Sequence, residues 1–188
     1  MPFDIFNYRI VTERRLAKLI PVYRKCFAIW CLRAMFDFCR SRLTGAVDGN
    51  DAQFIGNSVD ALWRHVIMDT TPSAGDLLAM TTRCSEINLN QGDELQGILL
   101  AQLLGGLLAA IDVFSSHSCR QSMLLAEYVI NCLDADVSMR TGISPKGDLS
   151  AVPSVGAEIR VQEQMICYLE DSPSLSTEDA LRFRQPHI

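Results

Sequence analysis

The apolar residues of this chain recur three and four positions apart over most of its length, the spacing of one face of an α-helix. Cys26, Ile29, Trp30, Phe36 and Cys39 illustrate it in one early segment. No alternation of apolar and polar residues extends beyond four positions, so the pattern gives no reason to expect β-strands. It predicts an all-α fold, a compact multi-helix bundle.

Breaks in the pattern divide the chain into seven helices and a short eighth one. Pro21 is tolerated in the first turn of a helix, so it separates two of them. Ser73 with Asp76, and Ser176 with Asp179, have the spacing of helix-capping pairs. The predicted helices cover about residues 12–20, 21–42, 51–68, 74–89, 93–115, 119–140 and 155–169, with a short C-terminal helix at about 176–184. We expect one domain over residues 1–188, frayed at about 1–8 and 185–188.

The segment at about 93–115 is the most apolar part of the chain and is long enough to cross a membrane. Two glutamines and Asp112 interrupt it, which favours a helix surrounded by other helices over a membrane span. Gly105 and Gly106 are unfavourable in a helix interior, so we expect them to admit a closely packed neighbour. This segment is the predicted centre of the bundle.

Charge is distributed unevenly along the chain. Apolar residues make up 48% of the sequence, charged residues 21%, and the net charge is −5. The first 45 residues nevertheless carry nine basic and only three acidic side chains, and the remainder is strongly acidic. A basic start suggests nucleic acid or a membrane. No aromatic or glycine-rich nucleic-acid motif accompanies it, so we expect these cations to pair with the acidic remainder and predict neither partner.

Cysteine usage indicates a reducing compartment. There is no Cys-x-x-Cys pair and no zinc-type spacing, and most of the cysteines occupy apolar helix positions as small hydrophobic side chains. The N-terminal segment has no uninterrupted apolar stretch like that of a signal peptide. We therefore expect a soluble cytoplasmic protein with reduced thiols. The seven cysteines are Cys26, Cys31, Cys39, Cys84, Cys119, Cys132 and Cys167.

The order of segments resembles the bacterial YjaG-like family, known as domain of unknown function 416. The resemblance covers about residues 12–170 and includes an Ala-rich apolar central helix. The chain departs from the family in lacking an aromatic-rich stretch before the first cysteine. The resemblance implies a compact helical bundle of unassigned activity and transfers no catalytic residues. The residues that carry it are Arg15-Leu16-Ala17-Lys18-Leu19, Phe38-Cys39-Arg40, Asp60-Ala61-Leu62-Trp63, and Glu158 with Gln162-Glu163.

Candidate chemistry is sparse, since no catalytic, cofactor or metal signature occurs in the sequence. Asp60, His65 and Asp112 are polar residues on otherwise apolar helices, where a side chain must be hydrogen-bonded or functional. They define a possible buried polar site. The corresponding hypothesis is a helical-bundle enzyme or ligand-binding protein of unassigned activity.

Acidic residues of the last third suggest a different function. They form either a solvated face or a docking surface for a basic protein, and acidic surfaces attract basic partners electrostatically. Toxins that act on nucleic acids are basic, because their substrates are polyanions. Our first hypothesis is therefore a non-enzymatic cytoplasmic protein-binding protein, an immunity protein that neutralises a bacterial toxin; a homo-oligomer is compatible with it. The docking residues would be Glu127, Asp134, Asp136, Glu158, Glu163 and Glu170.

Overall fold

The computed structural model describes residues 4–142 and 152–172. Within these ranges the chain forms seven α-helices and no strand, which confirms the all-α prediction. The predicted helix at 176–184 and the frayed end at 185–188 lie outside the described residues. The helices are α1 (Ile5–Lys18), α2 (Pro21–Leu43), α3 (Gly49–Ile67), α4 (Ala74–Glu86), α5 (Glu94–Ser116), α6 (Cys119–Thr141) and α7 (Pro153–Asp171).

Three long helices, α2, α5 and α6, pack against one another and form the core. Each is 23 residues long, or about 35 Å at 1.5 Å per residue. The other helices surround this core: α1 packs on α6, α3 on α2 and α5, and α7 on α6 and α2. Helix α4 packs mainly on α5. The apolar segment predicted to lie at the centre of the bundle is α5. It lies there together with α2 and α6.

Helix α5 has the length and apolar character of a membrane span, and it is the one such helix among the described residues. Of its most apolar 18-residue window, 61% is buried inside this fold. The core helix of a soluble bundle has the same composition, because both environments exclude water from the helix surface.

The two glycines of α5 lie where other helices approach closely, as their position in an apolar helix indicated. A Cβ atom on Gly105 would lie 3.0 Å from the hydroxyl oxygen of Tyr128 in α6. A Cβ atom on Gly106 would overlap the methyl group of Met35 in α2. The missing side chains therefore allow both α2 and α6 to approach α5.

Side-chain caps fix several helix ends. Asp93 and Gln96 form a reciprocal capping box at the start of α5, and Ser73 and Ser118 cap α4 and α6. Each cap satisfies a backbone N–H group that the helix itself leaves without a partner. Gly142 ends α6 in the left-handed conformation that is common for glycine after a helix.

Helix α1 begins seven residues earlier than the pattern indicated. Asp4 caps it, and the buried hydroxyl of Tyr8 donates a hydrogen bond to the side chain of Gln162 in α7. The prediction of frayed residues 1–8 is thus wrong for residues 5–8. A single buried tyrosine anchors the first turns, and its partner lies 154 positions away, which a local pattern does not show.

The burial of the cysteines predicts which thiols react. Only Cys167 is exposed and Cys119 is half-buried, whereas the other five are buried. Burial raises the pKa of Cys26 to about 12 and that of Cys84 to about 11, which suppresses the reactive thiolate. We expect one thiol to react rapidly with Ellman's reagent in the folded protein and all seven to react after unfolding in urea. Cys167→Ser should remove the rapid phase; rapid reaction of three or more thiols in the folded protein would contradict this burial pattern.

Candidate functional site

An open groove of about 960 Å³ lies between α3 and α4. Both helices pack on α5 but make at most marginal contact with each other. The groove therefore follows from the topology: two consecutive helices use the same support and leave the space between them unfilled. Its volume lies at the upper end of the range of ligand-binding clefts.

One end of this groove is held closed by Arg83 of α4. Its guanidinium forms an ion pair with Asp51 at the start of α3 and lies 5.8 Å from the ring centre of Phe54. A second carboxylate, Glu86, lies 3.6 Å from the same guanidinium. These contacts fix the distance between the two helices at one end.

The walls of the groove combine apolar and charged side chains. Phe54, Ile67 and Met80 are half-buried and provide apolar surface, with Ala61 and Ala79 leaving space between them, and the buried Trp63 lies beneath. Within residues 4–142 and 152–172, the indole N–H of the buried Trp63 has no hydrogen-bond partner. Groups of both signs lie around the apolar surface, so the groove suits a ligand that is apolar in the middle and charged at its edges. These charged groups are Asp60, Arg64, Asp76 and Arg83, and the imidazole of His65 also lines the groove.

Two residues of the predicted polar site, Asp60 and His65, line this groove. Asp60 pairs with Arg33 of α2 at 2.5 Å and is 50% exposed. His65 shares a 2.7 Å hydrogen bond between its Nδ1 atom and Thr70 Oγ1. Five residues along a helix correspond to a rotation of about 140°, so the two side chains diverge, each toward its own partner. They do not form an acid–base pair.

The third residue of that site, Asp112, lies elsewhere. It lines a second cavity of about 480 Å³ between α4 and α5, and Pro72 borders both cavities. The sequence allowed Asp112 to be buried, but it is exposed and accepts a 2.9 Å hydrogen bond from Gln121 Nε2. It shares one exposed face of α5 with Leu108 and Ser115, which explains how an apolar core helix carries a carboxylate.

The predicted acidic face is divided by the fold. Asp136 and Glu158 are buried, with 4% and 2% of their surface exposed, so they cannot belong to an exposed docking surface. Asp136 forms ion pairs with Arg42 and Arg140. Glu158 accepts a 2.6 Å hydrogen bond from Gln162 Nε2. This corrects the prediction for these two residues, since the pattern within one helix does not show which of its acids other helices cover.

Of the remaining four acids, two form ion pairs with α1. Glu127 pairs with Arg9 at 3.1 Å, and Glu170 pairs with Arg15 at 2.6 Å. The hydrogen bond from Arg15 lowers the pKa of Glu170. Asp134 and Glu163 have no ion pair among the described residues. The basic first helices thus neutralise acids of the last two, as the uneven charge distribution suggested.

Lys25 is a buried cation that the sequence did not single out. It is buried in α2, where its Nζ lies 3.4 Å from Thr71 Oγ1 and 5.3 Å from the ring centre of Phe114. Lys25, Ile29, Leu32 and Phe36 share the helical spacing of the buried face, which is the signal that could have identified it. Among the residues that the structure describes, no group of three His, Cys, Asp or Glu side chains could hold a metal ion.

Comparison with solved structures identifies the same fold in another protein. The crystal structure of a DUF416 family protein from Shewanella baltica OS155 superposes with a TM-score of 0.70, covering 92% of this chain and 90% of that one at 11% sequence identity. The resemblance to this family, inferred from the sequence, is therefore confirmed at the level of the fold. No protein-family model matches the sequence, and no curated protein matches it significantly.

Proposed function

We propose that this chain is a non-enzymatic binding protein that neutralises a bacterial toxin by holding a segment of it in the α3–α4 groove. The observation that carries the proposal is the groove itself, an open channel with an apolar centre and charged edges. Such a groove suits an amphipathic helix, whose apolar face contacts the floor while its polar face remains in water.

The scaffold around the groove supports a binding function. Arg33 joins α2 to α3 through Asp60, and Arg83 joins α4 to α3 through Asp51. Fixed walls reduce the conformational entropy lost when a partner docks, because little of the groove has to become ordered. The groove therefore suits a protein that binds without a large rearrangement.

Charge favours a basic partner. The net charge of −5 attracts a basic protein from a distance and accelerates association. At the groove, the exposed Asp76 and the half-exposed Asp60 offer carboxylates to basic side chains of the partner, while the exposed Arg64 offers a cation to an acidic one. The docking surface proposed here is thus the groove rather than the acids of α6 and α7, most of which the fold itself uses.

Filling the groove tests the proposal. Ala79 is exposed on α4 and lines the groove, so Ala79→Trp places an indole where the partner segment would lie. The assay is growth of a host that expresses the toxic product of the adjacent gene together with this protein. We expect the wild type to restore growth and Ala79→Trp to lose at least about tenfold in affinity for the purified partner, the effect of losing about 1.4 kcal/mol of binding free energy.

The matched control is Ala157→Trp, the same change at an exposed position of α7. It should protect the host as well as the wild type does. If the adjacent gene product is neither toxic nor bound, the toxin-neutralising function is contradicted. If both tryptophan variants protect equally, the partner binds outside the groove.

A further inference from the structure

A second pocket lies on another part of the molecule, where the end of α2 turns into the start of α3. Its volume is about 280 Å³, close to the lower end of the range for small-ligand sites. Four buried apolar side chains, Phe36, Leu43, Ile55 and Leu103, form its interior. They come from α2, α3 and α5, so the pocket opens directly onto the core.

Two glycines leave part of the entrance of this pocket uncovered. Gly45 and Gly49 lie at its edge, and a Cβ atom on either would meet no other atom within 4 Å. Gly45 has a φ angle of +80°, a conformation that favours glycine and keeps a larger residue from this turn. At these two positions no side chain narrows the entrance, whereas Thr44 and Val47 of the same turn also line the pocket.

A cation with no ion-pair partner among the described residues lies at this entrance. Arg40 lines the pocket and is exposed. The other two arginines in the second half of α2 form ion pairs, Arg33 with Asp37 and Asp60, and Arg42 with Asp136. Among the described residues, Arg40 has no carboxylate within ion-pair distance. Its guanidinium is free to bind an anion with two parallel hydrogen bonds.

We propose that this pocket binds a small amphipathic carboxylate, whose apolar tail enters the space between Phe36 and Leu103 while its carboxylate pairs with Arg40. The occupant has to be small, because the pocket holds only a short alkyl chain or a single ring. It has to be an anion, because the entrance offers a guanidinium. This site is separate from the α3–α4 groove and does not depend on the function proposed for that groove.

Titration with octanoate tests the site in the full-length protein. The probe is kept below its micelle concentration, and isothermal calorimetry is combined with amide NMR shifts of Gly45, Gly49 and Leu103. We expect saturable binding to the wild type, with shifts concentrated at these amides. Octanol, which has the same tail without the charge, should bind about tenfold more weakly or worse, because a charge-assisted hydrogen bond contributes about this factor or more.

Two variants and a control assign the binding to this pocket. Arg40→Glu should weaken octanoate about tenfold or more, since repulsion replaces attraction, and Ala52→Trp at the pocket edge should abolish binding. Arg160→Glu, a charge reversal at an exposed position of α7, should leave the affinity within about twofold. Unchanged urea unfolding of each variant shows that the fold is retained. The proposal is overturned if octanoate does not bind the wild type, if octanol binds equally well, or if Ala52→Trp binds as the wild type does.

Discussion

Gly106→Leu is expected to lower the free energy of unfolding by about 3 kcal/mol, near the top of the usual range for overpacking a core. A Cβ atom at this position overlaps the methyl group of Met35 and lies 3.4 Å from Leu125 Cδ2. Met35 and Leu125 are both fully buried, so neither side chain can move into solvent to make room. Urea unfolding followed by circular dichroism at 222 nm measures the change.

Alanine substitutions at two glycines of the same helix separate overpacking from helix propensity. Alanine is favoured over glycine in a helix interior by up to about 1 kcal/mol. At Gly97 the nearest atom to an added Cβ is the Leu89 carbonyl oxygen at 3.4 Å, so Gly97→Ala should leave stability unchanged or raise it. Gly106→Ala should lower it, because Met35 has to move. Equal effects at the two positions would contradict the close approach of α2.

A double-mutant cycle tests whether Met35 is the residue that clashes with a side chain at position 106. Met35→Ala alone leaves a cavity and should cost about 2–5 kcal/mol. Combined with Gly106→Leu, the new side chain fills part of that cavity. The loss of unfolding free energy in the double variant should therefore be smaller than the sum of the two single losses by more than about 1 kcal/mol. Strict additivity would show that residues 35 and 106 do not share the same space.

Much of this fold could be predicted from local sequence alone. The apolar spacing gives the helices, and the caps at Ser73, Ser118 and Gly142 give several of their ends, because these signals act within a few residues. The central position of α5 follows from its apolar composition, since a helix that is apolar nearly all round must be surrounded. Local signals failed at α1, where Tyr8 depends on a partner in α7.

The candidate site could be predicted far less well, because it depends on which helices do not touch. The α3–α4 groove exists since both helices pack on α5 and leave a space between them. No residue pattern within either helix predicts that space. Asp60 and His65 were identified as polar residues on an otherwise apolar helix. That they line a groove, each with its own partner, depends on how the helices pack.

The ion-pair partners of the acidic residues could not be predicted from the sequence either. Asp136 and Arg42 lie 94 positions apart in sequence and form an ion pair at 2.8 Å. The sequence showed a surplus of cations in the first helices and of acids in the last, but not which acid each cation meets. An acidic stretch can therefore be predicted to form ion pairs in general, whereas the acids that remain available to a partner cannot be identified before the fold is known.

Asp136→Asn is expected to lower the free energy of unfolding by about 3 kcal/mol, the lower end of the cost of breaking a buried ion pair. The side chain is 5% exposed and binds Arg42 through two hydrogen bonds of 2.8 and 3.2 Å, with Arg140 as a second cation. Arg42 also lies 3.6 Å from the ring centre of Phe38, so it cannot turn freely toward water. Arg140 is largely exposed and can be hydrated, which limits the loss. In a chain of this size the melting temperature should fall by about 6–12 °C, measured by calorimetry.

Asp134→Asn, the same change two residues earlier on α6, is the matched control. It should leave the free energy of unfolding unchanged or raise it. Burial raises the pKa of Asp134, so its ionised form is less favourable in the folded chain than in the unfolded one. Asparagine removes that cost, and the variant should be as stable as the wild type or slightly more stable at pH 7. The advantage should disappear as the pH falls below the ordinary pKa of an aspartate, because the wild-type carboxyl is then protonated in both states. If both substitutions destabilise the protein equally, the loss at Asp136 does not arise from its ion pairs with Arg42 and Arg140.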